Sequence, residues 1–99
     1  MKNETINEKL IIYLEGEVNS YNAEDVENEL SKIISENTFK SIALDLAKVN
    51  YISSAGLRII VRVKQQCDNT SLINVPDGVY EVFSMVGFEH MIEIEKLNK

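Results

Sequence analysis

Tyr51-Ile52-Ser53-Ser54-Ala55-Gly56-Leu57-Arg58 is the stretch of this sequence whose residue types and spacing could do chemistry. It lies between a strand-and-turn and an amphipathic segment. Ser53 or Ser54 can cap the helix that follows by accepting a backbone N–H, a contact worth ~1 kcal/mol. The same position tolerates an anion, because the unpaired N–H groups and positive dipole end of a helix face it. Gly56, in the first turn, lets another part of the chain approach closely, at ~1 kcal/mol of helix propensity. Arg58 and Arg62 lie four residues apart on one exposed row. They either keep the helix soluble or touch a partner.

Other chemistries find too few residues. His90 is the only histidine, and no strained nucleophile elbow accompanies it, so a Ser-His-Asp triad has nothing to rest on. It reads as a solvated turn residue. Cys67 sits on the apolar side of a helix and reads as core packing. With four glycines in all, neither a GxGxxG motif nor a P-loop is present. Glu24, Asp25, Glu27 and Glu29 read as one solvated helix end rather than a metal site. One His and one Cys cannot supply base, nucleophile and oxyanion donors. No catalytic residue, metal or cofactor is expected, and the chain is not expected to be an enzyme.

The 99 residues carry 10 Lys+Arg against 16 Asp+Glu, a formal charge of −6. That balance argues against nucleic acid as partner, since phosphate binding needs a basic face. At 44% apolar and 26% charged the chain is neither disordered nor fibrous. A single Cys excludes an internal disulfide and points to a reducing compartment. No apolar run approaches the ~20 residues that span a bilayer, and MKNETINEK lacks the apolar centre of a signal peptide. A soluble cytoplasmic domain is the expectation.

The elements that must position the Ser-Ser-Ala-Gly segment follow from periodicity. Residues 9–14, apolar and rich in β-branched side chains, predict a strand covered on both faces and stopped at Gly16. Glu17-Val18 can add a short second strand. Asn22 is placed to cap a helix over residues 22–36, with Ala23, Val26, Leu30, Ile33 and Ile34 on one face. Residues 42–46 predict a second buried strand, interrupted by Asp45, and residues 48–52 a turn. From Ser54 to Cys67 the spacing is again helical, with Leu57, Ile60, Val61 and Cys67 in one stripe broadened by Ile59 and Val63. Residues 72–75 predict a third strand stopped by Pro76-Asp77-Gly78. Val79, Val82, Phe83 and Val86 predict a short helix ended by Gly87, and residues 91–95 alternate as a last strand. The expected order is β(β)αβαβαβ: an α/β domain over residues 1–99, with a mixed four- to five-stranded sheet flanked by about three helices.

LDLAKVNYISSAGLRIIVRV, followed downstream by NVPDGVYEVFSMVGF, resembles the STAS-domain family of bacterial anti-sigma factor antagonists. The likeness runs over nearly the whole chain, through GEVNSYNAEDVENEL, and is strongest in YISSAGLR and VYEVFSMVGF. It implies a small mixed sheet flanked by helices, in agreement with the order above. It also implies a phosphoacceptor two residues before Gly56, at Ser54, with Ser53 as rival. A partner serine kinase of the GHKL type, itself the anti-sigma factor, would phosphorylate it. The unphosphorylated form would bind that kinase and free the sigma factor, and a PP2C-type phosphatase would restore it.

The implied docking face comprises Asn19, Ser20, Tyr21 and Asn22 with Ser53, Ala55, Gly56, Arg58 and Arg62. Tyr21 and Tyr51 are either exposed anchors or core-edge packing. Asp45 is expected to end its strand near the same loop, where it either holds the acceptor serine or satisfies backbone donors. Neither nucleic acid nor direct membrane contact is implied. The chain departs from the family pattern where Ser53 precedes the acceptor and Asn19 follows the early strand, both usually Asp. Residues 65–71 lack the usual Gly-Gly, and a terminal helix seen in some relatives is expected to be missing. The neutral Ser53 and Asn19 also suit a second role that the resemblance implies, a constitutive STAS adaptor in a membrane lipid-transport (ABC) complex.

Overall fold

Residues 1–97, described in the computed structural model, begin with a hairpin. β1 (Lys2–Ile6) runs antiparallel to β2 (Lys9–Val18), and Ile6 pairs with Lys9. The two-residue turn, Asn7-Glu8, has φ of 50° and 67°, the left-handed pair that a tight hairpin needs to match strand twist. Every side chain of β1 is exposed. The sequence reading missed this strand because no alternation of buried apolar residues marks it; pairing to β2 holds it. The predicted order of strands and helices stands, but the extra strand is residues 2–6, ahead of the first predicted strand, and not Glu17-Val18.

β2 is continuous, so the expected break at Gly16 and the separate strand at Glu17-Val18 are both corrected. Gly16 keeps its place in the strand at φ +77°, where the register to β3 shifts. Such an irregularity bends a strand without ending it, and glycine adopts the required backbone freely.

α1 (Ala23–Ser35) leads to β3 (Ser41–Ile52), and α2 (Ser54–Gln66) leads to β4 (Thr70–Val75). α3 (Asp77–Met85) and one 3-10 turn (Phe88–His90) lead to β5 (Glu93–Lys96). The turn expected over residues 48–52 is instead the second half of β3. Val49 and Ile52 there are 2% and 4% exposed, so burial decides against the turn that the polar Lys48 and Asn50 suggest. His90 lies exposed in the 3-10 turn, and Cys67 is half-buried at the end of α2 against the core, as expected of both.

The strands lie in chain order, β1-β2-β3-β4-β5, and every neighbour pair from β2 onward is parallel. Each crossover thus advances one strand in the same direction. Right-handed connections then stack α1, α2 and α3 on one face of the sheet. The core confirms it: Leu10, Ile12, Ile42, Leu44, Leu46 and Leu72 pack with Leu30, Ile60 and Phe83 in one cluster. Ile11 and Tyr13 point to the other face and are half-buried. The expectation that β2 is covered on both faces is therefore corrected; no crossover reverses direction, so none of the described helices reaches the second face. This topology gathers the carboxyl ends of β2, β3 and β4 at one edge, the usual location of sites in such sheets.

Candidate functional site

The site is built at the paired ends of β2 and β3. Val18 pairs with Ile52, and the next N–H, that of Ser53, donates to Val18 O at 2.9 Å. The ladder thus fixes the chain up to the residue where it turns into α2. Ser53 is extended (φ −95°, ψ 176°) and is the N-cap. Its hydroxyl accepts from Gly56 N–H at 3.5 Å, and its carbonyl accepts from Leu57 N–H at 3.0 Å. Ser53 therefore takes the capping role that the sequence left open between the two serines. Its extended backbone directs the side chain back at the first turn, as an N-cap requires.

Ser54 is the first helical residue and is exposed, and its hydroxyl has no hydrogen-bond partner among the described residues. Ala55 is half-buried beside it and Gly56 is buried. A Cβ on Gly56 would lie 2.6 Å from Ile52 Cγ1 and 3.0 Å from Val18 Cγ1. The glycine therefore lets the first turn of α2 sit directly on the last residues of both strands. This close approach was foreseen from the glycine, but the atoms it approaches were not.

Residues 19–22 form the adjoining loop, which satisfies itself. Asn19 Oδ1 accepts from the N–H groups of Tyr21 (2.9 Å) and Asn22 (3.1 Å). Asn22 Oδ1 accepts from Asn19 N–H at 2.9 Å, and Asn22 Nδ2 donates to Glu17 O at 2.8 Å. Asn22 was expected to cap α1 through its side chain; it makes no such bond, because both of its polar ends are engaged upstream. The loop leaves Ser20 exposed and the Tyr21 side chain 96% exposed. Tyr51 is 50% exposed and, like Tyr21, does not pack against the core.

The two arginines separate. Arg62 donates to both carboxylate oxygens of Glu27, at 2.9 and 3.1 Å, and so ties α2 to α1. Glu27 accordingly belongs to a helix–helix brace and not to a solvated acidic end. Glu29 likewise accepts from the Met1 amine at 3.0 Å. Arg58 is exposed and has no ion-pair partner among the described residues.

Asp45 does not join the site. It lies within β3, most of the strand's length before Ile52, on the order of 20 Å away along it, and it is 7% exposed. Its carboxylate accepts from Ala47 N–H at 2.9 Å and from Asn74 Nδ2 at 2.8 Å. The second bond holds Asn74 at φ 53° where β4 turns toward α3. Of the two roles expected for Asp45, satisfying a backbone donor is the one observed, and it does not end its strand.

The family model of the STAS domain matches residues 1–97. This chain belongs to the STAS domain family. It is 40% identical over 83 residues to BtrV of Bordetella bronchiseptica, named as an anti-sigma factor antagonist; the match covers 80% of this chain and 71% of BtrV. Among solved structures, a Thermotoga maritima protein titled as an anti-sigma factor antagonist superposes with a TM-score of 0.85 at 19% identity, covering 96% of this chain and 85% of that one. SpoIIAA, an anti-sigma factor antagonist, superposes in its unphosphorylated form with a TM-score of 0.74 at 18% identity, over 94% and 85% of the two chains. Its phosphorylated form gives 0.66 at 18% identity, over 94% and 88%. At these identities the structural likeness bears on the fold, which is that of the anti-sigma factor antagonists. None of the helices described in this STAS domain is long and apolar enough to cross a membrane.

Proposed function

We propose that this STAS domain is a phosphorylation-switched binding module. Unmodified, it binds an anti-sigma factor that is also a serine kinase of the GHKL type, and so releases the sigma factor. Phosphorylated at Ser54, it lets go, and a PP2C-type phosphatase restores it. The observation that carries the proposal is the exposed Ser54 hydroxyl at the first position of α2, unbonded and uncovered among the described residues. Ser53 is the poorer acceptor because its oxygen already caps the helix. In the transfer, Ser54 Oγ bonds to the γ-phosphorus of ATP as the bond from that phosphorus to the β–γ bridging oxygen breaks. ADP departs, and the hydroxyl proton passes to a base of the kinase. ATP places this event in the cytoplasm.

A phosphate here leaves the fold intact and changes only the surface. It brings about −1.5 to −2 charges to a helix N-terminus, where the dipole favours an anion by ~0.3–1 kcal/mol. A partner packed over Ser54 would have to desolvate that dianion or face it with its own groups. Losing ~100–1000-fold in affinity takes only about 2.7–4.1 kcal/mol, and burying an uncompensated charge exceeds that. Tyr21 and Tyr51, aromatic and exposed, suit anchors in such an interface.

Intact-mass analysis after incubation with ATP and the cognate kinase tests the reading. One added phosphate that survives Ser53→Ala and disappears in Ser54→Ala is expected. A kinase that binds the domain and leaves it unmodified removes the switch. A second reading, a constitutive adaptor docked on the ATPase of a lipid-transport complex, draws on Asn19 and Ser53. Both are neutral and already engaged within the chain. Co-purification with an ABC-type ATPase in place of a GHKL-type kinase would select it.

A further inference from the structure

The surface of α2 carries two arginines, and the fold has engaged only one. Arg62 is held by both oxygens of Glu27. Lys64 pairs with Asp68, Lys40 with Glu8, and Lys2 lies over the Tyr13 ring; Lys9, Lys32 and Lys48 are unpaired among the described residues, but none of them lies on α2. Arg58 is exposed and unpaired among the described residues, and it follows Ser54 by four positions in the same helix. That spacing stacks two side chains on one face, ~5–6 Å apart at Cβ. A guanidinium presents a planar fork that matches phosphate oxygens and keeps its charge at any ordinary pH.

We infer that Ser54 phosphorylation works by capturing Arg58: the free guanidinium binds an acidic group of the partner in the unmodified protein and folds back onto the phosphate in the modified one. This rests on the phospho-switch reading above and adds to it the group through which the switch acts. Repulsion alone would leave Arg58 available to the partner in both states. Capture withdraws the one unpaired cation of α2's amino-terminal half as the negative charge arrives, so a single modification changes two contacts. It also makes the partner's matching surface acidic.

The test uses the full chain with phosphoserine incorporated at position 54 during translation, so that no kinase is needed. The phosphorus-31 shift followed against pH reads the second ionisation of the phosphate, near pH ~6 when unperturbed. With Arg58 beside it, the midpoint is expected about half a pH unit below that of R58Q. R62Q should match the native chain, since Arg62 lies roughly 12 Å from Ser54 along the helix and is committed to Glu27. Superimposable titrations of the native chain and R58Q overturn the capture. Binding to the partner supplies the second readout. R58Q should weaken the unmodified form about tenfold, an ion pair's worth of affinity, and leave the residual affinity of the phosphorylated form unchanged. Equal weakening of both forms overturns the inference. A chain that no serine kinase modifies would sink the proposed function without touching the titration, so the two failures are distinct.

Discussion

Replacing Gly56 with alanine puts the architecture of the site to a quantitative test. The added methyl carbon would lie 2.6 Å from Ile52 Cγ1, 3.1 Å from Ile52 Cδ1 and 3.0 Å from Val18 Cγ1, where carbon atoms prefer ~3.5–4.0 Å. Relief of nearly 1 Å must come from lifting the first turn of α2 off the strands or from forcing Ile52, 4% exposed, out of its rotamer. Overpacking of this kind costs ~1–3 kcal/mol. Alanine's better helix propensity returns ~0.5–1 kcal/mol. The packing term wins, and a net loss of about 1 kcal/mol is expected. In urea unfolding the midpoint should fall by roughly 0.5–1 M at an unchanged slope. The double-mutant cycle with Ile52→Ala sharpens the result. Ile52→Ala alone should cost ~2–5 kcal/mol, and it should cost at least ~1 kcal/mol less in the Gly56→Ala background, because the clashing atoms are then absent. An unchanged or raised midpoint for Gly56→Ala, or strict additivity in the cycle, would refute the claim that close approach requires glycine here.

Ser53→Ala removes a long cap bond and should cost ~0.5–1 kcal/mol by thermal melting, whereas Ser54→Ala should leave stability within ~0.5 kcal/mol; the opposite ranking would exchange the roles of the two serines. Asn74→Ala deprives Asp45 of one of its two bonds and sets an alanine at φ 53°, so a loss of ~1–3 kcal/mol is expected. Asn74→Gly relieves the backbone and should be milder, and denaturant titration of both variants decides. Arg62→Ala should cost only ~0.5 kcal/mol, because the pair with Glu27 is partly exposed, and the difference should shrink in ~1 M salt. The Tyr13 phenol titrates above its usual value, first because its hydroxyl donates to Glu4 at 2.7 Å and then through partial burial. A raised folded-state value means that this bond supports the fold below the unfolded phenol's titration and is lost as pH rises through the folded one. Tyrosinate absorbance should show Tyr13 ionising at lower pH in Glu4→Gln, and no change would dissolve the link.

The separation of tasks around α2 is what makes a surface switch compatible with a fixed scaffold. Ser53, Gly56 and the Val18–Ser53 hydrogen bond anchor the helix start, and residues 19–22 close on themselves. Ser54 and Arg58 remain outside that network. A charge added at Ser54 therefore meets solvent and its helical neighbour, and nothing in the core has to move.

Much of this was legible in the order of residues. The amphipathic spacing of Val26, Leu30, Ile33 and Ile34 defined α1, and the Ser-Ser-Ala-Gly-Leu segment marked the start of α2, because cap chemistry and periodicity act between near neighbours. Long-range pairing was not legible. β1 carries no buried side chain and exists because β2 lies beside it. Residues 48–52 look like a turn and form strand because Val49 and Ile52 have a core to enter. Asp45, a strand-end acid by composition, is instead held mid-strand by Asn74 of the neighbouring strand. Whether Ser53 or Ser54 capped the helix, and whether Arg58 or Arg62 stayed free, were likewise choices between equivalent local options. Glu27, on another helix, took Arg62, and the β2–β3 ladder set the backbone angle that turned Ser53 inward. Local energetics decide what a segment can become; only contacts between segments distant in the chain select which of two like residues remains free for a partner.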